Sequence, residues 1–560
     1  MKNTLYYGDN LVVLRESIQD EAVDLIYLDP PFNSNATFNL LFSSKGHKSN
    51  AQIEAFEDTW HWGPQAEEEF TQILRSPNTD VAEMMQAMRS FLGENDMMAY
   101  LTMMGTRLLE LHRVLKPTGS IYLHCDPTAS HYLKILMDGV FGPRFFLNEI
   151  IWKRSYGHGD SKRSIGRSHD TLLLYTKSEA HTLNRFFHEH DPRYIEGFFR
   201  HEDERGRYKL ENLTSPSPRP NLTYPYKGYP PPAKGWRVNP KRMAQLDHEG
   251  RLYFPKKREG RIMKKVYLAD LEGQPMTDVW TDIRLLSAHD AERLGYPTQK
   301  PVALLERIIE ASSNPGDLVL DPFCGCGTAV HAAQKLERQW IGIDITHLAI
   351  SLVEKRLRDA FPGITFNVEG TPVDIDGARD LALRNKYQFQ WWACHLVNAQ
   401  PYQGKKKGAD GGIDGLIFFE DEKGKSKRVL VSVKGGENVG LTMVKDLIAT
   451  VQGEKAQVGL FVTLTPPTRP MIAEAARAGY YDSPLGKSYP RLQILTIAGL
   501  MDGTERPQYP LAESGGMTFK RAKVELKNTK QRELFEKARA DIDDLPLSAL
   551  VVDDVAPEED

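Results

Sequence analysis

Residues 316–344 constrain the fold more than any other part of the chain. They read as a buried strand ending at Asp321, a glycine-rich turn, a helix over residues 328–336 and a second strand over residues 340–344. A strand, a tight glycine turn and a helix in this order form the β-α-β unit of nucleotide-binding sites. The sequence therefore predicts an α/β fold built on a parallel sheet.

The glycine turn also indicates what kind of ligand it can hold. Gly325 and Gly327 let the backbone pass close to a ligand where a side chain would collide. Asp344, at the end of the second strand, is placed to accept hydrogen bonds from ribose hydroxyls. The turn lacks the GxGxxG pattern, and no lysine follows it to cradle a phosphate. A ligand without a phosphate therefore fits better than a dinucleotide.

A second pattern closes the apolar strand over residues 25–28 with Asp29, Pro30, Pro31 and Phe32. The exocyclic amine of adenine or cytosine is a poor nucleophile, because its lone pair is delocalised into the ring. The side chain of Asp29 and the backbone carbonyl of Pro30, whose direction the next proline restricts, supply two acceptors that localise this lone pair. Phe32 offers a face on which a flipped-out base can stack. Taken alone, the four residues also suit a strand end followed by a proline turn.

These segments together resemble one family. Residues 28–32 resemble motif IV, (D/N/S)PP(Y/F), of the amino-methylating DNA methyltransferases, and residues 321–328 resemble their motif I, DPFxGxGT, with Asp344 as the acidic motif II. Residues 297–301 resemble motif X, and Asp9 stands where the family places an acidic residue. The catalytic motif precedes the cofactor motif, as in the β-class, circularly permuted enzymes. The resemblance covers residues 1–360.

The resemblance implies a cofactor, a target and a set of site residues. The cofactor is S-adenosylmethionine (AdoMet), and the amine attacks its methyl group directly, without a covalent cysteine intermediate or a metal. The DPP(Y/F) form leans toward adenine N6, with cytosine N4 as the alternative. The implied catalytic residues are Asp29, Pro30, Pro31 and Phe32, and the implied cofactor-binding residues are Asp9, Lys300, Asp321, Pro322, Phe323, Gly325, Gly327, Thr328 and Asp344.

Composition agrees with a large cytoplasmic enzyme. A chain of 560 residues is expected to hold more than one core. Its four cysteines are too scattered for a disulfide framework, and Cys324 and Cys326 read as small turn residues rather than metal ligands. The formal net charge of -4 does not argue against a DNA partner, because residues 541–560 carry eight acidic residues and no lysine or arginine.

Basic residues concentrate in the segment between the two motifs. Clusters lie at residues 153–169, at 224–242, where aromatic residues interleave with them, and at 256–265. A solvated loop explains any single cluster, but three of them predict a target-recognition region over about residues 153–290. The expected partner is double-stranded DNA, with no membrane partner and with a homodimer left open. The sequence does not show which bases this region recognises.

The last third of the chain predicts a second core. Asp414 precedes a strand over residues 416–419, and Lys434 ends a strand over residues 429–434. Such spacing places an acid and a lysine on one face, as in metal-dependent nucleases, and it resembles the Mrr-like restriction endonucleases of the PD-(D/E)xK class. Ser432 stands where that class has an acid, and a hydroxyl binds Mg²⁺ far more weakly. The candidate nuclease residues are therefore Asp414, Ser432 and Lys434, with Asp414 as the metal ligand and Asp410 assisting, and DNA cleavage is left open.

The sequence thus predicts an α/β protein with two domains, one like a methyltransferase and one like a nuclease. A Rossmann-like AdoMet-dependent methyltransferase core covers residues 1–365, a linker 366–386, a restriction-endonuclease-like domain 387–510, and a tail, acidic at its end, 511–560. The predicted function is site-specific DNA methylation in restriction-modification or phage defence. A non-enzymatic DNA-binding regulator with decayed domains, and an RNA or protein methyltransferase, stay open as alternatives. The intact Asp29 and glycine turn argue against the first, and the nuclease-like core argues against the second.

Overall fold

The structure is a computed structural model. It describes residues 2–31, 36–44, 47–58, 60–154, 165–185, 187–188, 190, 192–287, 290, 292–294, 296, 298–402, 412–422, 425–510, 522–523 and 525, with backbone alone at 36–44, 47–58, 188 and 274. Several residues with predicted roles lie outside this set: Phe32, Pro297, Asp410, residues 155–164 and nearly all of the tail.

The chain divides into two units, Met1–Thr182 with Val279–Asp560, and Leu183–Asp278. In the first segment of the first unit, the strands are β1 Thr4–Tyr7, β2 Val23–Leu28, β3 Ala36–Ser44, β4 His47–Asp58, β5 Leu115–Cys125, β6 Phe146–Lys153 and β7 His169–Thr176. The helices of this segment are α1 Asn10–Ser17, α2 Pro64–Leu74, α3 Thr79–Leu92, α4 Asp96–Val114 and α5 Ser130–Phe141.

The second unit is Leu183–Asp278. It holds the strands β8 Phe187–His188, β9 His201–Asp203, β10 Gly206–Asn212, β11 Leu252–Tyr253, β12 Met263–Tyr267 and β13 Gln274–Pro275, and the helices α6 Pro192–Phe198 and α7 Pro240–His248. Four of these strands form a sheet in the order β11-β12-β10-β9.

The remainder of the methyltransferase-like region lies after this unit. Its strands are β14 Val279–Trp280, β15 Leu318–Asp321, β16 Gln339–Asp344 and β17 Asn367–Glu369, and its helices are α8 Val302–Ser312, α9 Thr328–Lys335 and α10 His347–Ala360. The helix α11 Ile375–Arg384 follows, and its buried residues Ala378 and Leu381 belong to the apolar core of the C-terminal region. The C-terminal region contains β18 Gln400–Pro401, β19 Gly415–Glu422, β20 Lys425–Lys434, β21 Val458–Thr463, β22 Tyr480–Asp482, β23 Ser488–Pro490 and β24 Leu492–Thr496, with α12 Lys386–Leu396, α13 Leu441–Gly453, α14 Arg469–Arg477 and α15 Ile497–Asp502.

A nine-stranded sheet forms the centre of the first unit, in the order β14-β6-β7-β5-β2-β15-β16-β1-β17. The strands from β5 to β17 in this order run parallel, and β7 runs antiparallel to both β5 and β6. β2 is almost wholly buried, as expected for a parallel strand that is covered on both faces. Because β2 and β15 are neighbours, the segments after Leu28 and after Asp321 leave the sheet side by side. The α/β fold predicted from the sequence is confirmed.

The second unit has a small apolar core of its own. Trp236, 1% exposed, and Tyr229 pack there with Met243 and Leu246. These aromatic residues alternate with cations in the sequence because they build this core, whereas Lys256, Lys257 and Arg258 are exposed. The alternation of aromatic and basic residues in this segment therefore reflects the packing of the aromatic side chains as well as the exposure of the basic ones.

The C-terminal region forms a five-stranded sheet in the order β18-β19-β20-β21-β24. β20 places alternate side chains in two cores, with Val431 and Val433 on the face that α12 covers and Leu430 on the face that α13 and α14 cover. This α/β domain matches the prediction. Among the described helices, none is both long and apolar enough to cross a membrane.

Candidate active site

A cavity of about 280 Å³ opens at the carboxyl ends of β1, β2, β15 and β16. The parallel sheet brings the two motifs to this edge, where ligands bind in open α/β sheets. Of the predicted catalytic and cofactor residues that the structure describes, all line it except Gly327, and Phe32 lies outside the described residues. The lining residues that had been predicted are Asp9, Asp29, Pro30, Pro31, Lys300, Asp321, Pro322, Phe323, Gly325, Thr328 and Asp344.

Asp29 forms an ion pair with Lys300 inside this cavity. Asp29 follows β2 directly, and Lys300 lies just before α8. The two side chains are only 17% and 9% exposed. Burying a carboxylate is costly unless a cation compensates it, and Lys300 provides that cation for Asp29. The sequence placed Lys300 among the cofactor residues and did not predict this contact.

Asp344 is held by three hydrogen bonds. The backbone N–H of Gly325 donates to Oδ2 at 3.0 Å, and the backbone N–H and hydroxyl of Thr346 donate to Oδ1 at 2.9 and 2.8 Å. Burial raises the pKa of Asp344 to about 6, although these hydrogen bonds oppose the shift. A carboxylate has about four lone-pair sites, two on each oxygen. Three are used here, so Oδ2 of Asp344 can still accept from a ribose hydroxyl.

The two glycines of the turn serve different purposes. Gly325 has φ +47°, and a Cβ there would lie 3.3 Å from the ring of Tyr296. Gly327 has φ +71°, and a Cβ there would lie 2.8 Å from the methyl groups of Val353 in α10. We expected both glycines to admit a ligand. Gly327 is instead required by helix packing, because Val353 fills the space that a side chain would need.

Asp9 anchors the other side of the cavity. Its carboxylate caps α1 by accepting from the N–H of Leu11 at 2.8 Å, and Arg107 of α4 donates to it at 3.1 Å. Arg107 also donates to Asn10 at 2.7 Å, and Asn10 donates to the carbonyl of Pro322 at 2.8 Å. This network ties the end of β1 to the turn after β15. The sequence did not reveal Arg107, since a single arginine in a long helix carries no local signal.

A buried polar chain leads away from the cavity across three strands. The Tyr27 hydroxyl, at the cavity wall, lies 2.9 Å from Nδ1 of His124, and Nε2 of His124 lies 3.3 Å from Asp170. Asp170 also faces Nε of Arg154 at 3.3 Å. Burial, the largest single influence, acts against the charged form of Asp170, but the hydrogen bond from His124 and the charges of His124, Lys300 and Arg154 together outweigh it and lower the pKa. In the tautomer of His124 that carries hydrogen on Nε2 alone, Nε2–H donates to Asp170 and Nδ1 accepts from the Tyr27 hydroxyl.

The candidate nuclease residues meet at one end of the C-terminal sheet. Asp414 Oδ1 accepts from the side-chain amide of Gln390 at 3.0 Å, and Oδ2 accepts from the N–H of Val433 at 2.7 Å. Lys434 lies 3.9 Å from Oδ2, and Ser432 is buried. The structure thus brings Asp414 and Lys434 together as predicted, but each oxygen of Asp414 accepts a hydrogen bond from the protein.

These residues do not fit the Mg²⁺ site that the sequence left open. Asp414 is a single carboxylate that α12 and β20 already engage, and Ser432 offers a hydroxyl in place of a second acid. Within the described part of the chain, no group of three or more His, Cys, Asp or Glu residues could hold a metal ion. We therefore derive no metal-dependent chemistry at Asp414.

A mostly parallel sheet with a glycine-turn site beside a DPPF motif defines a DNA methyltransferase. Residues 23–355 match the N6_N4 family model, described as DNA methylase. This match covers more than half of the chain, so the chain belongs to the N6/N4 family of DNA methyltransferases.

Two curated relatives show the extent of the similarity. The chain is 31% identical over 361 residues to the type II methyltransferase M.EcaI of Enterobacter cloacae, covering 64% of this chain and 69% of that protein. It is 26% identical over 352 residues to the type III restriction-modification enzyme StyLTI Mod subunit of Salmonella typhimurium, covering 60% of this chain and 50% of that protein. A solved structure, the M1.HpyAVI–SAM complex, aligns with 63% of this chain and 98% of that chain at 16% identity and a TM-score of 0.30.

The C-terminal domain has a family match of its own. Residues 394–502 match the family described as NACHT-associated inactive restriction endonuclease 1. The predicted relationship to restriction endonucleases is confirmed. The description names an inactive form, which agrees with Ser432 in place of an acid and with the hydrogen-bonded state of Asp414. No endonuclease activity is assigned to this domain.

Proposed function

We propose that the chain transfers a methyl group from AdoMet to the exocyclic amine of a flipped-out base in double-stranded DNA, with adenine N6 as the target, in restriction-modification or phage defence. The observation that carries the proposal is the shared cavity. Asp29 and Pro30, which suit an amine, lie in the same cavity as Gly325 and Asp344, which suit a ribose-bearing ligand without phosphate. A base and a methyl donor can therefore meet there.

The residues around the glycine turn fit AdoMet. Asp344 would accept from the ribose hydroxyls, Asp9 would contact the adenine, and the backbone at Gly325 would pass close to the methionine part. When bound, AdoMet supplies an electrophilic methyl carbon. The position of Gly325 supports this fit, because the residue lines the cavity and its φ of +47° favours glycine, which brings no side chain into the cavity.

The base-pocket residues would activate the amine. The Asp29 carboxylate and the Pro30 carbonyl would accept its two hydrogens and localise the nitrogen lone pair. Lys300 would hold the Asp29 carboxylate in place through their ion pair while leaving acceptor sites free on it, since a carboxylate has about four.

Analysis of the product nucleosides tests the proposal. Duplex DNA incubated with the protein and AdoMet is digested, and the nucleosides are identified by mass spectrometry. We expect N6-methyladenine. N4-methylcytosine would keep the mechanism and overturn the choice of base, and the absence of both from every duplex substrate, including genomic DNA, would overturn the proposed function. The homodimer left open by the sequence stays a prediction for sedimentation analysis.

A further inference from the structure

Helix α12 makes contacts through two of its faces. Phe389, Trp392 and Cys394 belong to the apolar core of the C-terminal domain. Gln388, Trp391 and His395 are spaced three and four residues apart, so they form one stripe along the helix. Most of α12 lies between the residues matched as DNA methylase and those matched as inactive restriction endonuclease. Neither family description therefore assigns a role to this helix.

The stripe of α12 contacts α10. The side-chain oxygen of Gln388 accepts from the backbone N–H of His347, the first residue of α10, at 3.1 Å. Trp391 packs against the apolar cluster of Tyr296, Cys326 and Leu348. Two members of that cluster, Tyr296 and Cys326, also line the cavity of the active site. Trp391, in the C-terminal region, thus packs against residues that form part of the cavity wall.

Helix α10 carries much of the cofactor site. Its capping residue Thr346 donates to Asp344, and Val353 fills the space beneath Gly327. Arg356 donates to the carbonyl of Cys326 at 3.0 Å and to the hydroxyl of Thr328 at 3.1 Å. A displacement of α10 would therefore move both the ribose acceptor and the glycine turn.

The start of α10 is also joined to β1. The ring of His347 stacks on the ring of Tyr7, with centroids 3.6 Å apart and planes 20° apart. Burial lowers the pKa of His347 to about 3, so the ring is neutral near pH 7 and stacks without an unpaired charge. Gln388 and Tyr7 together restrain His347, which lies three residues after Asp344.

We propose that α12 is a brace for the cofactor site, so that the inactive nuclease-like domain contributes to AdoMet binding. The inference rests on the proposed AdoMet-dependent function. Because Trp391 and Gln388 stabilise the conformation of α10 that AdoMet binds, weakening them costs AdoMet affinity. Linkage requires the reverse as well: bound AdoMet stabilises the packing of α12 on α10.

Calorimetric titration of AdoMet into the full-length protein tests the brace. Trp391→Ala is expected to weaken AdoMet affinity by about tenfold, within the range of typical coupling between sites. Gln388→Ala, which removes one hydrogen-bond acceptor and leaves the apolar packing intact, is expected to weaken it by about threefold, the scale of one net hydrogen bond. Trp391→Phe keeps an apolar ring and is expected to recover most of the affinity.

Tyr387→Ala is the matched control, because this ring lies on the same helix and is 49% exposed. It is expected to bind AdoMet as the wild type does. Hydrogen exchange supplies a second readout, in which AdoMet slows the exchange of the α12 amides in the wild type. Wild-type affinity in both Trp391→Ala and Gln388→Ala, or α12 exchange that AdoMet leaves unchanged, would overturn the brace. A wild-type protein that binds no AdoMet would instead overturn the proposed function.

Discussion

The ammonium group of Lys300 lies on the carboxylate of Asp29, although 271 residues separate the two in the chain. This pair joins the motif that suits the base to the segment that leads into α8. It also gives the cavity a carboxylate whose charge is compensated in the absence of DNA.

Lys300→Met should lower methyl transfer by about a hundredfold at neutral pH while changing AdoMet affinity by less than about threefold. Removing one partner of a buried pair leaves the Asp29 charge uncompensated in the cavity and removes the group that holds the carboxylate in place. Lys300→Arg keeps a cation at this position and should retain most of the methyl transfer. A loss of AdoMet affinity in proportion to the lost activity would indicate instead that Lys300 binds the cofactor.

AdoMet affinity should fall as the pH drops through about 6. Burial raises the pKa of Asp344 to about 6, so the group is a carboxylate above that pH and a weaker acceptor below it. Titration calorimetry between pH 5 and pH 8 measures the effect, and Asp344→Asn should remove this part of the pH dependence together with most of the affinity. An affinity that rises on acidification would contradict the assignment of Asp344 to the ribose.

Gly327→Ala should destabilise the protein by about 1–3 kcal/mol, the usual cost of overpacking a core. The added methyl group would meet Val353, and the backbone at Gly327 has a positive φ that favours glycine. Val353→Ala in the same chain should recover part of the loss, because it opens the space that the methyl group needs. Urea denaturation measures both variants. A double variant less stable than the sum of the two single changes would contradict the packing explanation.

Neutralising Lys256, Lys257 and Arg258 together should make DNA binding less dependent on salt. All three side chains are exposed in the second unit. Each lost phosphate contact lowers the slope of log affinity against log salt by at most about one unit, because fewer counterions are released. AdoMet affinity serves as the control and should not change. An unchanged slope would place DNA contacts outside this segment.

Local sequence patterns predicted the bounds of an element closely where the apolar pattern of a buried segment coincides with the residues that begin or end a helix or strand. The helix predicted over residues 328–336 is α9, Thr328–Lys335, and the strand predicted over residues 340–344 is β16, Gln339–Asp344. The strand predicted over residues 429–434 begins earlier, at Lys425. Its first residues are charged or polar and show no apolar pattern, yet their backbone pairs with β19. Hydrophobic patterns report burial and not backbone pairing.

The parts of the site that escaped prediction depend on non-local contacts. Tyr27, His124 and Asp170 lie on three strands whose adjacency is set by the sheet order β7-β5-β2, and no local pattern links the three in sequence. The contact between Lys300 and Asp29 likewise arises only in the folded chain, because 271 residues separate the two. Motifs could be predicted because their spacing is local, whereas the polar network behind them required the folded chain.

The most direct test of the account compares the wild type with Asp29→Ala in two assays, transfer of labelled methyl groups from AdoMet to duplex DNA and calorimetric binding of AdoMet. Asp29 is assigned to the base and not to the cofactor, so the variant should lose methyl transfer by at least about a thousandfold and still bind AdoMet within about threefold of the wild type. Methyl transfer by Asp29→Ala at a rate near that of the wild type would contradict the central claim.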